Sequence, residues 1–322
     1  MVLPQAMRRI ASSIFAVTAL SLFNGTLMAQ ARLVVPYPPG GSADLSGRII
    51  AQKMSEVLGR QVIVDNRPGG GTLIASEHVA KSAPDGMTML QINPSNIIAQ
   101  LTIKGTSVDL RRDFVAVSLM ASSPLLLVVN PTVPAKSLAE FVAFARTQPG
   151  KLHFASGGVS GITHLTGELL NSATGIKVVH VPFKGSASTI TPLVSGEVSI
   201  AFNDVPTYLP HVRAGRLRAL AITGDARSSD LPEIPTMAEA GFPAIDSQAW
   251  FIVLVPARTA PSIVATLAQS IEQVTAQQEV RDRLKAAGMI ATASTPQQTS
   301  AMLTREFDKW SKLVKEVNLQ PQ

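Results

Sequence analysis

Two short loops hold the residues whose types and spacing point to chemistry. Pro38-Pro39-Gly40-Gly41-Ser42-Ala43-Asp44 follows the β-prone run Arg32 to Tyr37 and opens a stretch in which Leu45, Ile49, Ile50, Met54, Val57 and Leu58 recur at helical spacing. The two glycines let the backbone turn sharply and leave amide N–H groups uncovered, and the partial positive charge of a helix starting near Ala43 falls on the same spot. That is the chemistry of an anion seat. Taken alone, the loop also reads as an ordinary β-α turn in which Asp44 merely caps the helix. A second loop, Ser156-Gly157-Gly158-Val159-Ser160-Gly161, favours the seat: it follows the predicted strand Leu152 to Ala155, and Ile162-Thr163-His164 then opens another helix. One carboxylate with two or three charge-assisted hydrogen bonds, each worth roughly 1.5–3 kcal/mol, gains only part of what capture needs. Micromolar affinity requires about −8 kcal/mol after the costs of association. Two facing seats supply the difference, and a ligand held by both stabilises a closed state that a partner can detect.

The elements that position these loops alternate. Gln61 to Val64 reads as a strand, Asn66 to Gly71 as a loop, Thr72 to Ser82 as a helix, and Pro84-Asp85-Gly86 turns the chain into the strand Met87 to Ile92. Strands alternating with single helices predict an open, mostly parallel sheet covered on both faces, with ligands beyond the carboxyl ends of its strands. After Leu125 to Val129 the rhythm restarts. Helices at Ser137 to Gln148, Ile162 to Thr174 and Ser188 to Ser195 alternate with strands at Leu152 to Ala155, Val178 to Val181, Val198 to Phe202 and Leu217 to Ile222. A proline-rich passage from Leu231 to Pro243 leads to the strand Trp250 to Val255 and to helices over Pro261 to Ala287 and Pro296 to Val317, read as returning to the first lobe. The predicted class is therefore α/β with two lobes, residues 32–126 plus 248–322 and residues 127–247, joined by a two-strand hinge crossing near 125–130 and 244–250.

The start of the chain predicts export. Met7-Arg8-Arg9 precedes the apolar run Ile10 to Phe23, and small residues at Ala29 and Ala31 place cleavage before Arg32, making residues 1–31 a signal peptide. An uncleaved anchor helix is the alternative, but an apolar core nearer 14 than 20 residues is short for roughly 30 Å of hydrocarbon. Met7 is an alternative start. The chain has no cysteine, which removes disulfides, thiolate metal ligands and thiol nucleophiles together, so stability must come from the core. Without Arg8 and Arg9 the formal charge falls from +6 to +4, and the remaining basic residues are scattered. Nucleic acid is not an expected partner, no cofactor is expected, and the chain reads as a monomer.

Further motifs carry a resemblance. Val35 to Asp44, Val64-Asp65-Asn66-Arg67-Pro68-Gly69-Gly70-Gly71, Ala83-Pro84-Asp85-Gly86, His180-Val181-Pro182-Phe183-Lys184-Gly185, Gly215-Arg216-Leu217-Arg218-Ala219-Leu220-Ala221, Leu231-Pro232-Glu233-Ile234-Pro235-Thr236 and Glu239-Ala240-Gly241 together resemble the substrate receptors of tripartite tricarboxylate transporters, the Bordetella uptake gene (Bug) family. The resemblance covers essentially the whole chain after the leader. It implies a periplasmic two-lobed Venus-flytrap protein of type II-like topology that hands a small carboxylate to membrane permease subunits. It also implies that two β-α loops pinch one ligand carboxylate. Carried onto this sequence, the first pincer is Gly41, Ser42, Ala43 and Asp44 with Tyr37 as a wall, and the second is Ser156, Gly157, Thr163 and His164. Lys184, Asn203 and Asp204 on neighbouring loops would face the distal end of the ligand. The chain departs from the family at Tyr37, where phenylalanine is common, at Asn93-Pro94-Ser95, in place of a Gly/Thr/Ser-rich loop, at Phe251 after Trp250, and in the order of Asn203-Asp204. These departures bear on which acid is bound.

Two rivals are weighed. A hydrolase would need Ser156, His164 and Asp44 as a triad, but Phe154-Ala155-Ser156-Gly157-Gly158 lacks the G-x-S-x-G nucleophile elbow. The histidines lack metal-ligand spacing, Gly69-Gly70-Gly71 is not G-x-G-x-x-G, and no P-loop follows any strand. A receptor presenting its ligand to a membrane sensor would need the same cleft and the same closure as one serving a permease.

Overall fold

The computed structural model describes residues 30–316 apart from Ser160 and Lys184; residues 1–29 of the expected leader lie outside them. In chain order the first part comprises β1 (Ala31–Val35), α1 (Ser42–Leu58), β2 (Val62–Asn66), α2 (Leu73–Ala80), β3 (Thr88–Ile92), α3 (Pro94–Thr102) and the long β4 (Phe114–Val129). The second part runs through α4 (Leu138–Arg146), β5 (Leu152–Ser156), α5 (Ile162–Thr174), β6 (Val178–Pro182), α6 (Ile190–Ser195), β7 (Ile200–Asp204), α7 (Val205–Arg213) and β8 (Arg218–Ile222). The chain then returns through β9 (Gln248–Pro256), α8 (Pro261–Ala276), α9 (Gln278–Ala286), β10 (Ile290–Ala291) and α10 (Pro296–Glu316).

β4 belongs to both lobes. Its stretch Phe114 to Pro124 pairs antiparallel with β9, and Leu125 to Val129 pairs antiparallel with β7 and β8. Each lobe repeats one arrangement, three parallel strands followed by an antiparallel one: β2-β1-β3 then β9, and β6-β5-β7 then β4. In each, the antiparallel strand is the one by which the chain arrives from the other lobe. β1 runs parallel to β3 and hence to β4, toward the second lobe, whereas β5 and β7 run against β4, toward the first. The carboxyl ends of β1 and β5 therefore both face the space between the lobes.

Burial explains the strands. Leu33 and Val35 pack with α1, α8 and α9 on one face of the first sheet, while Val34, Leu90 and Ile92 pack with α2, α3 and α10 on the other. A strand covered on both faces reads as a continuous apolar run, which is why β1 and β4 show no alternation. Ile162, Leu165 and Leu169 of α5 join the second of these clusters beside Trp250, Phe307 and Trp310, so α5 packs across the lobe boundary onto α10. The buried carboxylate of Glu306 anchors α10 there. Its Oε2 accepts from Trp250 Nε1 at 3.0 Å and Trp310 Nε1 at 2.8 Å, and Lys309 pairs with it while donating to Asp246 O at 2.9 Å. Buried charge is tolerated when it is compensated in this way.

The two-lobed α/β class and the two-strand hinge are as the sequence predicts, with four local differences. β4 begins at Phe114, well before the expected Leu125, because its first half is buried under α8 and α10. Asn93-Pro94-Ser95 opens α3 instead of forming a loop: Pro94 sits in the first turn, and Asn93 and Asn96 form a capping box. α7 is a helix despite Pro206 and Pro210. β1 starts at Ala31, which is buried and whose N–H donates to Gln61 O at 2.9 Å, so the cut expected before Arg32 falls inside a strand. Among the described residues no helix is long and apolar enough to cross a membrane.

Gly167 marks the tightest approach of α5 to its sheet, because a Cβ there would lie 2.2 to 2.7 Å from the Phe154 ring. Gly167→Ala is expected to lower unfolding free energy by about 1–3 kcal/mol through overpacking, read as a reduced urea midpoint with unchanged slope.

Candidate binding site

The first seat is built on α1. Its N-cap is Gly41, with φ −83° and ψ 172° and no side-chain cap, whereas α3, α4 and α7 are capped by Asn93, Ser137 and Asp204. The first intrahelical bond runs from Leu45 N–H to Gly41 O, 2.9 Å, which leaves the N–H groups of Ser42, Ala43 and Asp44 without a helical acceptor. Asp44 holds the loop in shape. Its Oδ2 accepts from Gly40 N and from Arg48 Nε, both at 2.9 Å, and its Oδ1 accepts from Asn66 Nδ2 at 2.9 Å. Burial opposes this carboxylate, but the hydrogen bonds from Arg48, Gly40 and Asn66 outweigh it and hold the carboxyl below its usual range. Beneath the first turn, Gln91 Nε2 donates to Ala43 O at 2.8 Å, and Gly47 leaves the room it needs.

Tyr37 forms a wall locked to α3. Its hydroxyl donates to Asn93 Oδ1 at 2.6 Å, and Asn93 Oδ1 also accepts from Ser95 N at 2.9 Å. Burial lifts the phenol well above its ordinary pKa, partly offset by Ser95 and Asn93. The departures at Tyr37 and Asn93-Pro94-Ser95 are thus one linked feature.

The second seat repeats the first. α5 has Gly161 as N-cap, again without a side-chain cap, and Leu165 N–H donates to Gly161 O at 3.1 Å, so Ile162, Thr163 and His164 precede the first helical bond. Polar side chains of the loop brace it internally: Thr163 Oγ1 accepts from Gly157 N at 3.1 Å, and Ser156, fully buried, exchanges bonds with Gly158 N at 3.2 Å and Gly158 O at 3.0 Å. Ser156 Oγ also lies 2.6 Å from His180 Nε2. The His180 ring stacks on His164 with centroids 3.7 Å apart and 18° between planes, and on Phe154 at 4.9 Å. His164 Nε2 is 3.6 Å from Glu168 Oε1 one turn further along α5. Burial first, and then the neighbouring His164, push His180 down to about 4, against the pull of Glu168.

The predicted residues thus divide. Gly41, Ser42, Ala43 and Asp44 in the first lobe and Thr163 and His164 in the second supply helix-terminal N–H groups, while the side chains of Asp44, Ser156 and Thr163 and the N–H of Gly157 are spent on loop structure. Asn203 and Asp204 end β7, where Asp204 caps α7 by accepting from Thr207 N at 3.3 Å and Asn203 Oδ1 accepts from Asp204 N at 2.9 Å. Lys184 lies outside the described residues. The imagined triad is not assembled: Asp44 is in the other lobe with both oxygens engaged, and Ser156 meets His180 instead of His164. The sequence assigns no site role to His180, Glu168, Arg48, Asn66 or Gln91, although His180 and Asn66 fall in its motifs. Beyond that, only His180 left a signal, two residues after the start of a strand that pairs with β5.

Three parallel strands plus a crossing strand in each lobe, with a glycine-capped helix N-terminus from each facing the gap, define a two-lobed solute-binding protein of the periplasmic type. The sequence matches the Tripartite tricarboxylate transporter family receptor over residues 47–319, and the chain belongs to that family. It is 35% identical over 287 residues to Protein BugT of Bordetella pertussis, covering 88% of each chain. Among solved structures, R. palustris Rpa4515 with adipate superposes with a TM-score of 0.73 at 32% identity, covering 89% of this chain and 96% of that one. MatC from Rhodopseudomonas palustris with bound malate gives 0.70 at 28% identity, covering 88% and 98%. Family and fold are those of substrate-binding receptors, which are not enzymes.

Asp44→Ala strips Arg48, Asn66 and the Gly40 amide of their acceptor and is expected to cost about 2–3 kcal/mol of stability at pH 7, measured by urea unfolding. Because the folded carboxyl is depressed, that stability is present above the usual carboxylate pKa of about 3.9 and is lost as pH falls below it, so wild type and variant converge in acid.

Proposed function

We propose that this protein is an exported receptor that captures a small organic acid between its lobes, residues 32–126 plus 248–322 and 127–247, and delivers it to the permease of a tripartite tricarboxylate-type transporter. The observation that carries this reading is the pair of uncapped helix N-termini, at Gly41 and Gly161, at the carboxyl ends of β1 and β5. Each presents backbone N–H donors and partial positive charge to an anion. Adipate and malate in related receptors support a carboxylate ligand, and membership of the transporter receptor family supports an uptake role. Tyr37 walls the first seat, and Asn203 and Asp204, with Lys184 as the family resemblance implies, are the residues assigned to the distal end of the acid. The leader is removed ahead of β1, after Ala29, which keeps Ala31 in its strand.

The test is a thermal-shift and calorimetric screen of the protein from Gln30 onward against mono-, di- and tricarboxylates, amino acids, aromatic acids and the matching amides. One carboxylate class is expected to stabilise the protein and its amides are not. Gly41 has φ −83° and open space where a Cβ would go, so Gly41→Asp fits as an ordinary N-cap. That variant is expected to keep or raise the melting temperature of the free protein while weakening acid binding at least about tenfold, or 1.4 kcal/mol. Equal stabilisation by amides, or undiminished binding by Gly41→Asp, would sink the reading.

A further inference from the structure

We infer that His180 positions the second seat and that the stacked His164–His180 pair carries at most one proton, which is taken up together with the ligand carboxylate. This inference rests on the carboxylate reading and concerns residues that the pincer alone does not include.

The geometry supplies three reasons. First, His180 ties β5 to the first turn of α5: it meets Ser156 Oγ at 2.6 Å, lies flat against His164, and backs onto Phe154. Second, two imidazoles whose centroids are 3.7 Å apart cannot both be cationic without strong repulsion, so the stack accommodates one charge or none. Third, Glu168 lies one turn from the seat, with Oε1 3.6 Å from His164 Nε2 and its side chain only 19% exposed. With both rings neutral, a carboxylate arriving at the N-terminus of α5 finds a second carboxylate nearby. One proton on the stack makes the group of His164, His180 and Glu168 neutral and removes that repulsion.

Among the described residues, the charged groups around the stack are these. From α5 come His164 and Glu168, and β5 presents only Phe154 and Ser156. Lys184, in the loop after β6, lies outside the described residues, and the carboxylate of the opposite seat, Asp44, is neutralised by Arg48. In the free protein His180 is held down to about 4, so near neutral pH it takes no proton by itself. A bound anion raises the proton affinity of the stack, and by reciprocity the proton raises affinity for the anion.

The experiment has two arms. In the first, the imidazole signals of His164 and His180 are titrated by NMR in the free protein, assigned with His164→Gln and His180→Gln. The expected result is no more than one proton gained by the pair between pH 8 and pH 5; two independent protonations in that range overturn the inference whatever binds. In the second, adipate, or the panel acid that stabilises the protein best, is titrated calorimetrically in two buffers of different ionisation enthalpy between pH 6 and 8.5, where simple carboxylates stay ionised. Net proton uptake is expected, with Kd rising several-fold to about tenfold per pH unit. Glu168→Gln should tighten binding at pH 8 and flatten the profile, and His180→Gln should flatten it by weakening binding at low pH. A merely structural His180 would shift Kd equally at every pH. Binding without proton uptake overturns the inference and leaves the carboxylate reading intact, whereas failure of every acid to bind overturns that reading and leaves the NMR arm to decide the pair.

Discussion

Everything in this molecule hangs on one strand that is shared by two sheets. β4 is buried along almost its whole length and gives its first half to β9 and its second half to β7 and β8. Because a strand has only two edges, this sharing fixes the direction of every other strand in both lobes. The carboxyl ends of β1 and β5 consequently point at one another's lobes, and the helices that follow them bring their N-termini to the gap. The proposed anion site is in this sense a product of topology, in which backbone amides are the donors left free and side chains hold those amides in place.

That division of labour suits a receptor for charged solutes. Amide dipoles at helix ends act at short range and only in the right geometry, so each seat selects by geometry as well as by charge. Asp44 in one lobe and Ser156, Thr163 and His180 in the other occupy comparable supporting roles with unrelated chemistry. The Tyr37–Asn93 hydrogen bond adds a rigid wall that carries no charge.

Much of this was legible in the sequence. The strand-loop-helix rhythm, both glycine loops, the restart after Val129 and the return at Trp250 all follow from apolar periodicity and from glycine and proline positions. The first half of β4 was not legible, because strand character there depends on burial by α8 and α10, which lie far along the chain. α3 and α7 were hidden by proline, whose place in a helical first turn mimics a loop. In the site, the loop positions were readable but the division between backbone donors and bracing side chains was not. That Asp44 turns to Gly40, Arg48 and Asn66, or that His164 and His180 stack, depends on which strands lie side by side, and residues 164 and 180 carry no mutual signal along the chain.

The exchange of crossing strands has a consequence for biogenesis. β3 has β1 on one edge and must wait for β9 on the other, with Leu90 opposite Leu254 and Ile92 opposite Ile252. A chain that emerges amino end first therefore cannot complete its first sheet until β9, ending at Pro256 of 322 residues, has appeared, and contacts so distant in sequence form slowly. For the exported receptor proposed above, threaded unfolded through a membrane channel, this delay would be useful: the architecture itself postpones compaction until most of the chain has passed.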